Sequence, residues 1–156
     1  MLYFAYGSNM HPQQMRRRCP SYRFVSTAKL ADYKLAFTRR SPRRRCGVAD
    51  VIPSPGDEVW GVLYHLISKR DVVALDKAEG FKLGRRRVNG YDRTRRNVWS
   101  LLSPHKPLNA HLYIARQQHN PPPPSAHYVG LMVSGAAHWE VPKHYQQALE
   151  GLLERY

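Results

Sequence analysis

Strand-forming segments follow one another along this chain with almost no helix long enough to carry it from one strand to a parallel neighbour. Such a crossover takes a dozen or more residues. Leu2–Tyr6 reads as a short aromatic-rich strand that Gly7–Asn9 breaks. His11–Arg18 reads as a short helix ending before Pro20. Arg23–Leu30 and Tyr33–Phe37 read as strands joined by a tight turn, Arg39–Gly47 as a charged loop, and Val48–Ile52 as a strand. Pro53–Asp57 has the residues of a turn, and Glu58–Ile67 is the clearest strand. A helix then intervenes, with Ser68 as N-cap, Asp71 as its capping-box-like partner and Gly80 as its stop. Arg86–Tyr91, Asn97–Leu102 and Ala110–Ala115 read as further strands, and His119–Pro124 as an extended proline run. Ala126–Ala137 reads as helical. In the last helix Tyr145, Leu149, Leu152, Leu153 and Tyr156 keep helical spacing, with Pro142 in its first turn. This order predicts one α+β domain over residues 1–156, an antiparallel or mixed sheet curled into a small β-barrel with helices packed on it.

A chain of 156 residues, 42% of them hydrophobic, is long enough to bury one core. No apolar run approaches the roughly 20 residues of a membrane span. Met1–Met10 has no basic leader and reaches Gly7, Ser8 and Asn9 at once, so no secretory signal is expected. Cys19 and Cys46 do not make a disulfide framework, and a reducing cytoplasm is the expected location. The net charge of +14 comes mostly from arginine, clustered at Arg16–Arg18, Arg39–Arg45 and Arg85–Arg96. Such a surface attracts polyanions, anionic substrates or acidic partners; equally, it is a solvated basic face.

Two places could carry chemistry. With about 100° per residue, Glu79 falls about 20° from Val72 and about 40° from Leu75, on the side of the helix that should face the core. Burial and the negative end of a helix both raise a carboxyl pKa, toward the range useful for proton transfer near neutrality. The competing reading is a glutamate at a frayed helix end turning into water. At Tyr6–Asn9 a strand gives way to small residues, and successive backbone N–H groups can converge on one anion. The competing reading is an ordinary turn. Ser8 lacks the GxSxG setting of a nucleophile. No Walker A sequence, GxGxxG or HExxH occurs, and no Cys/His cluster has zinc spacing.

In order, the segments Tyr3–Met10, Ser54–Val62, Leu75–Gly80 and Pro124–Tyr128 resemble the signatures of the γ-glutamylcyclotransferase family, and the Pro142–Tyr145–Leu149 helix also fits. The resemblance runs from Leu2 to about Leu153. It implies a small α+β barrel and an enzyme needing no cofactor and no metal. The α-amine of a small γ-glutamyl substrate attacks its own γ-carbonyl, releasing 5-oxoproline and an amino acid or amine. By the resemblance Glu79 is catalytic, and Tyr3, Phe4, Ala5, Tyr6, Gly7, Ser8, Asn9, Met10, Tyr113 and Tyr128 bind substrate. Monomer or homodimer is left open. The arginine-rich segments 39–45 and 85–96 depart from the family pattern. Both are expected at the pocket mouth, where they would favour an acidic leaving group or a larger anionic γ-glutamyl conjugate. Two other readings stay open: removal of a γ-glutamyl group from a specialised biosynthetic conjugate, and weak binding of RNA or an acidic partner through the arginine runs, with the pocket vestigial.

Overall fold

Two long strands dominate the computed structural model, which describes residues 1–156. Strand β2 (Arg23–Arg40) pairs antiparallel with β3 (Gly47–His65) from Arg23–His65 at one end to Arg40–Gly47 at the other. The tight turn expected between Leu30 and Tyr33 is instead a bulge within one continuous strand. Asp32 takes a left-handed φ of 63°, which aspartate tolerates, and its Oδ1 accepts the Gly56 N–H at 2.9 Å. The proline-glycine turn at Pro53–Asp57 is likewise absorbed into β3, as the partner side of that bulge. Bulges bend paired strands, so the two bend together instead of separating.

Strand β1 (Leu2–Ala5) pairs antiparallel with β3, and Tyr3 meets His111 of β5 (Ser103–Ala115) in parallel. Strand β4 (Tyr91–Ser100) forms a hairpin with β5 and touches β2 at Ala28 and Lys29. The sheet closes as a barrel in the order β1-β3-β2-β4-β5. The mixed barrel expected from the sequence is therefore present, and its one parallel contact is the seam that closes it.

Helix α1 (Pro12–Arg18) follows β1, and α2 (Lys69–Ala78) joins β3 to β4. Helices α3 (Ala126–His138) and α4 (Lys143–Leu153) pack against each other, with Pro142 as the N-cap residue of α4 and not inside its first turn. No helix is long and apolar enough to cross a membrane. Phe4, Leu30, Leu63, Tyr64, Leu112 and Met132 are almost wholly buried in one continuous core. Leu75 of α2 is buried there as well, a burial that contributes about 1.5–3 kcal/mol.

Two local expectations fail for identifiable reasons. Ser68 caps α2 without a side-chain hydrogen bond, and Asp71 is buried under the N-terminal half of the helix, where it accepts the Ser21 N–H at 2.9 Å. The aspartate thus ties α2 to the α1–β2 connection and makes no capping box. Arg86–Gly90 is a loop, and the strand begins only at Tyr91. Asn89 mimics a strand partner here: its Oδ1 accepts the Lys82 N–H at 2.9 Å and its Nδ2 donates to the Lys82 carbonyl at 3.1 Å. The Gly90 N–H donates to the Gly80 carbonyl at 3.1 Å, closing the loop at its base.

Candidate active site

The position of Glu79 follows from how α2 ends. Glu79 is the C-cap residue, with helical φ and ψ of −87° and 0°. Gly80 follows with φ of +65°, its N–H donates to Lys77 O at 3.2 Å, and the Phe81 N–H donates to Asp76 O at 2.8 Å. This pair of bonds is a Schellman motif, which needs a residue able to adopt the left-handed conformation after the cap. The chain direction is thereby fixed at the residue carrying the carboxylate. Gly80→Ala is expected to cost about 1–2 kcal/mol, because a Cβ there meets only Gly90 N at 3.8 Å and the penalty is the left-handed backbone itself. Urea unfolding of the variant checks this.

The carboxylate opens on a cavity of about 310 Å³, the size of a small-molecule site. Its wall brings together Tyr3, Tyr6, Gly7, Ser8, Asn9, Glu79, Tyr113 and Tyr128 from β1, the turn after it, the end of α2, β5 and α3. After β1 the chain passes through Gly7 into a single 3-10 turn, Ser8–Met10. Asn9, only 3% exposed, is the hub of the site. Its Nδ2 donates to the Tyr3 hydroxyl at 2.9 Å and to Glu79 Oε1 at 3.0 Å. Its Oδ1 accepts from Gln14 Nε2 at 2.9 Å and Arg18 Nη1 at 2.7 Å. Both donors and both acceptor positions of the amide are thus used, which fixes its orientation. Gln14 Nε2 also donates to Ser8 Oγ at 2.7 Å, so α1 braces the turn.

Burial pushes the Glu79 carboxyl above its ordinary value, while Arg18, Asn9 and Arg44 pull it down. Arg18 Nη1 stands 3.4 Å from Glu79 Oε1 in a partly buried pair. Desolvation wins because the side chain is only 17% exposed and meets one direct cation at long range. Burial also raises Tyr3 and Tyr128, and Glu79 adds to both, so these phenols keep their protons. Tyr128 OH accepts the Ala49 N–H at 3.0 Å and Tyr6 OH donates to Tyr113 O, linking the cavity wall to β3 and β5. Tyr113 OH donates to Asp76 Oδ1 at 2.6 Å, and Arg93 holds the other oxygen of Asp76 at 2.7 Å. The Tyr113 hydroxyl is therefore committed to α2, and its ring is what it offers the cavity.

Three of the expected binding residues lie elsewhere. Phe4, Ala5 and Met10 are buried at 0–1% exposure and do not line the cavity. Phe4 packs beside Tyr6, and the Met10 carbonyl accepts the Trp139 indole N–H at 2.9 Å, so these residues support the wall from behind. The proline run is also off the cavity: Pro123 O accepts the Gly47 N–H at 2.9 Å, which makes the run a connector lying along the start of β3. Arg18 and Tyr91 line the cavity and Gln14 and Asp76 bond its wall, and nothing in the sequence singles these four out; Arg44 belongs to the segment expected at the mouth but is turned inward. Arg18 and Arg44 were hidden inside runs of arginine, where nothing local tells an inward residue from a solvated one.

The chain matches the family model described as gamma-glutamyl cyclotransferase, AIG2-like, over residues 3–130. It is 34% identical to a mouse gamma-glutamylcyclotransferase over 155 residues, covering 97% of this chain and 78% of the mouse protein. A human gamma-glutamylcyclotransferase is 33% identical with the same coverage. A solved structure of a gamma-glutamyl cyclotransferase superposes with a TM-score of 0.85 at 31% identity, covering 96% of this chain and 86% of that one.

Proposed function

This chain belongs to the γ-glutamyl cyclotransferase, AIG2-like family and is a γ-glutamylcyclotransferase-type enzyme, and from that premise we propose that Glu79 is its general base and acid. The observation that carries the assignment is a carboxylate of raised pKa, oriented by Asn9 and facing a cavity where it is the sole carboxylate.

The substrate's α-amine is an ammonium near neutrality and cannot attack. Glu79 takes one of its protons, and the freed nitrogen adds to the γ-carbonyl carbon in the same molecule. A five-membered ring forms and the carbonyl oxygen becomes an oxyanion. When the oxyanion collapses, the bond to the leaving nitrogen breaks, Glu79 returns its proton to that nitrogen, and the ring nitrogen gives up its second proton, which the released amine carries away as an ammonium. The products are 5-oxoproline and a free amine or amino acid. Because nucleophile and electrophile share one chain, the protein's task is to hold the glutamyl group in its cyclising shape. Tyr3, Tyr6, Tyr113 and Tyr128 provide walls for that shape. The backbone N–H groups of Gly7, Ser8 and Asn9 are assigned to the α-carboxylate or the oxyanion. Phe4, Ala5 and Met10 act by packing the turn in place.

Release of 5-oxoproline from a panel of γ-glutamyl amino acids and γ-glutamyl amines tests the proposal. Release from none of them overturns it. The pH profile supplies a signed check. The base must be ionised, so kcat/KM should fall as pH drops through the Glu79 pKa, on an acid limb above the ordinary glutamate value of about 4.3. Arg18 favours the ionised form, so Arg18→Gln should move that limb to higher pH. An unmoved limb would remove Arg18 from this role.

A further inference from the structure

Arginines from α1, the end of β2 and the loop after it give the cavity an excess of positive charge that the glutamyl group cannot use. Four arginines line it, Arg18, Arg39, Arg40 and Arg44, against the single carboxylate of Glu79. Only Arg18 is ion-paired, to Glu79 itself. Arg39, Arg40 and Arg44 take part in no ion pair anywhere in the molecule. Arg39 and Arg40 end β2, and Arg44 lies on the loop that follows, which is held by its own hydrogen bonds. The Ser41 N–H donates to Cys46 O at 2.9 Å, Arg45 N–H to Ser41 O at 2.8 Å, and Arg44 N–H to Ser41 Oγ at 3.1 Å. Arg44 is turned inward, over the Tyr128 ring at 5.2 Å and onto the Gln14 carboxamide. Arg39 reaches across to the Arg116 carbonyl at 3.0 Å. Arg40 is exposed at the mouth and its guanidinium has no protein partner.

A γ-glutamyl group brings one carboxylate whose charge is offset by its own ammonium, and it needs at most one cation. Three unpaired guanidinium groups around a partly enclosed cavity repel one another, a cost that an anion entering with the rest of the substrate removes. Planar guanidinium groups also match a carboxylate in geometry. We infer that this site selects γ-glutamyl substrates whose leaving group carries more than one carboxylate, with Arg40 and Arg39 as the residues that read it. The inference rests on the cyclotransferase reading above and names the substrate class of that same cavity. The second arginine segment has no such part. Arg85, Arg86 and Arg87 are exposed on the loop, Arg93 holds Asp76, and Arg96 bonds Tyr33, so only residues 39–45 of the two arginine segments place cations at the cavity.

The test compares γ-glutamyl-glutamate with γ-glutamyl-glutamine, which differ by one charge at nearly constant shape, by 5-oxoproline release. Wild-type kcat/KM should favour the glutamate leaving group about tenfold or more at low salt, with the ratio shrinking as salt is raised. Arg40→Gln and Arg39→Gln/Arg40→Gln should collapse the ratio toward one, and Arg40→Lys should keep part of it. Thermal melts of the variants confirm that the fold is retained. Release from both substrates at equal kcat/KM overturns the charge selection and leaves the cyclotransferase reading intact. A preference that survives in the double variant overturns the role of these two arginines. Release from neither, nor from any other γ-glutamyl substrate, overturns the underlying reading and this inference with it.

Discussion

Glu79→Gln is expected to lower kcat by about 10²–10⁴-fold while leaving the protein at least as stable as wild type at neutral pH. The activity loss follows from removing the group that takes the α-ammonium proton, with the shape of the cavity kept. The stability claim follows from linkage. The Glu79 carboxyl has a higher pKa folded than unfolded, so the folded state holds the proton more tightly. Its favourable contribution is complete below the unfolded pKa and is lost as pH rises through the folded pKa. At neutral pH the ionised side chain is a cost of keeping a base in a partly desolvated cavity, and glutamine does not carry it. Melting temperatures of the two proteins at pH 7.5 and pH 4 check the sign. The variant's advantage should be larger at pH 7.5. A variant that turns over normally, or is strongly destabilised only at neutral pH, contradicts the assignment.

Gly135→Ala is expected to destabilise the protein by about 2–3 kcal/mol and to impair catalysis from outside the cavity. Gly135 faces the turn after β1 so closely that an added Cβ would stand 2.4 Å from Met10 C, 2.6 Å from Met10 O and 2.7 Å from His11 N. All three are backbone atoms, so no side-chain tip can swing away. Alanine gains about 1 kcal/mol over glycine in a helix, and the overlap must be set against that gain. Relief requires α3 or the turn to shift, and the turn carries Ser8 and Asn9. Gly130 on the same helix is the control, since a Cβ there meets nothing within 4 Å. Gly130→Ala should stabilise by about 0.4–1 kcal/mol. Urea unfolding of both variants, with KM and kcat for each, separates propensity from contact. Equal stability of the two would show that the close approach carries no energetic weight.

Much of the architecture was legible because it depends on local pattern. The strand-rich order follows from β-forming residues and turn signals, the helix between β3 and β4 from its boundary residues Ser68 and Gly80, and the C-terminal helix with Tyr145 and Leu149 on its buried side from periodicity. The stop at Gly80 was legible too, since a left-handed position after a helix calls for glycine. The bulge at Asp32 was not. A polar residue between two strands looks the same whether it turns the chain or bends it, and only the partner Gly56 across the sheet settles which. Asp71 likewise has the spacing of a capping box, but Ser21, 50 residues away, outcompetes the local partner.

For the site, the sequence determined the chemistry of single positions and the order of the motifs: Glu79 at a helix end, a glycine-containing turn after the first strand, and tyrosines at 113 and 128. Tertiary structure decided which of them meet. Barrel closure sets Tyr3 and Tyr113 side by side at 5.8 Å between ring centroids, and it buries Phe4, Ala5 and Met10 behind the wall they seemed to form. It also sorted the arginines, setting Arg18 on Glu79 and Arg39, Arg40 and Arg44 around the cavity, and leaving Arg85–Arg87 in solvent. The physical reason is range. Helix propensity, capping and turn preference act over a few residues. The pKa of a carboxylate and the pairing of a guanidinium depend on whatever lies within several ångströms, and in this molecule those neighbours come from distant parts of the chain.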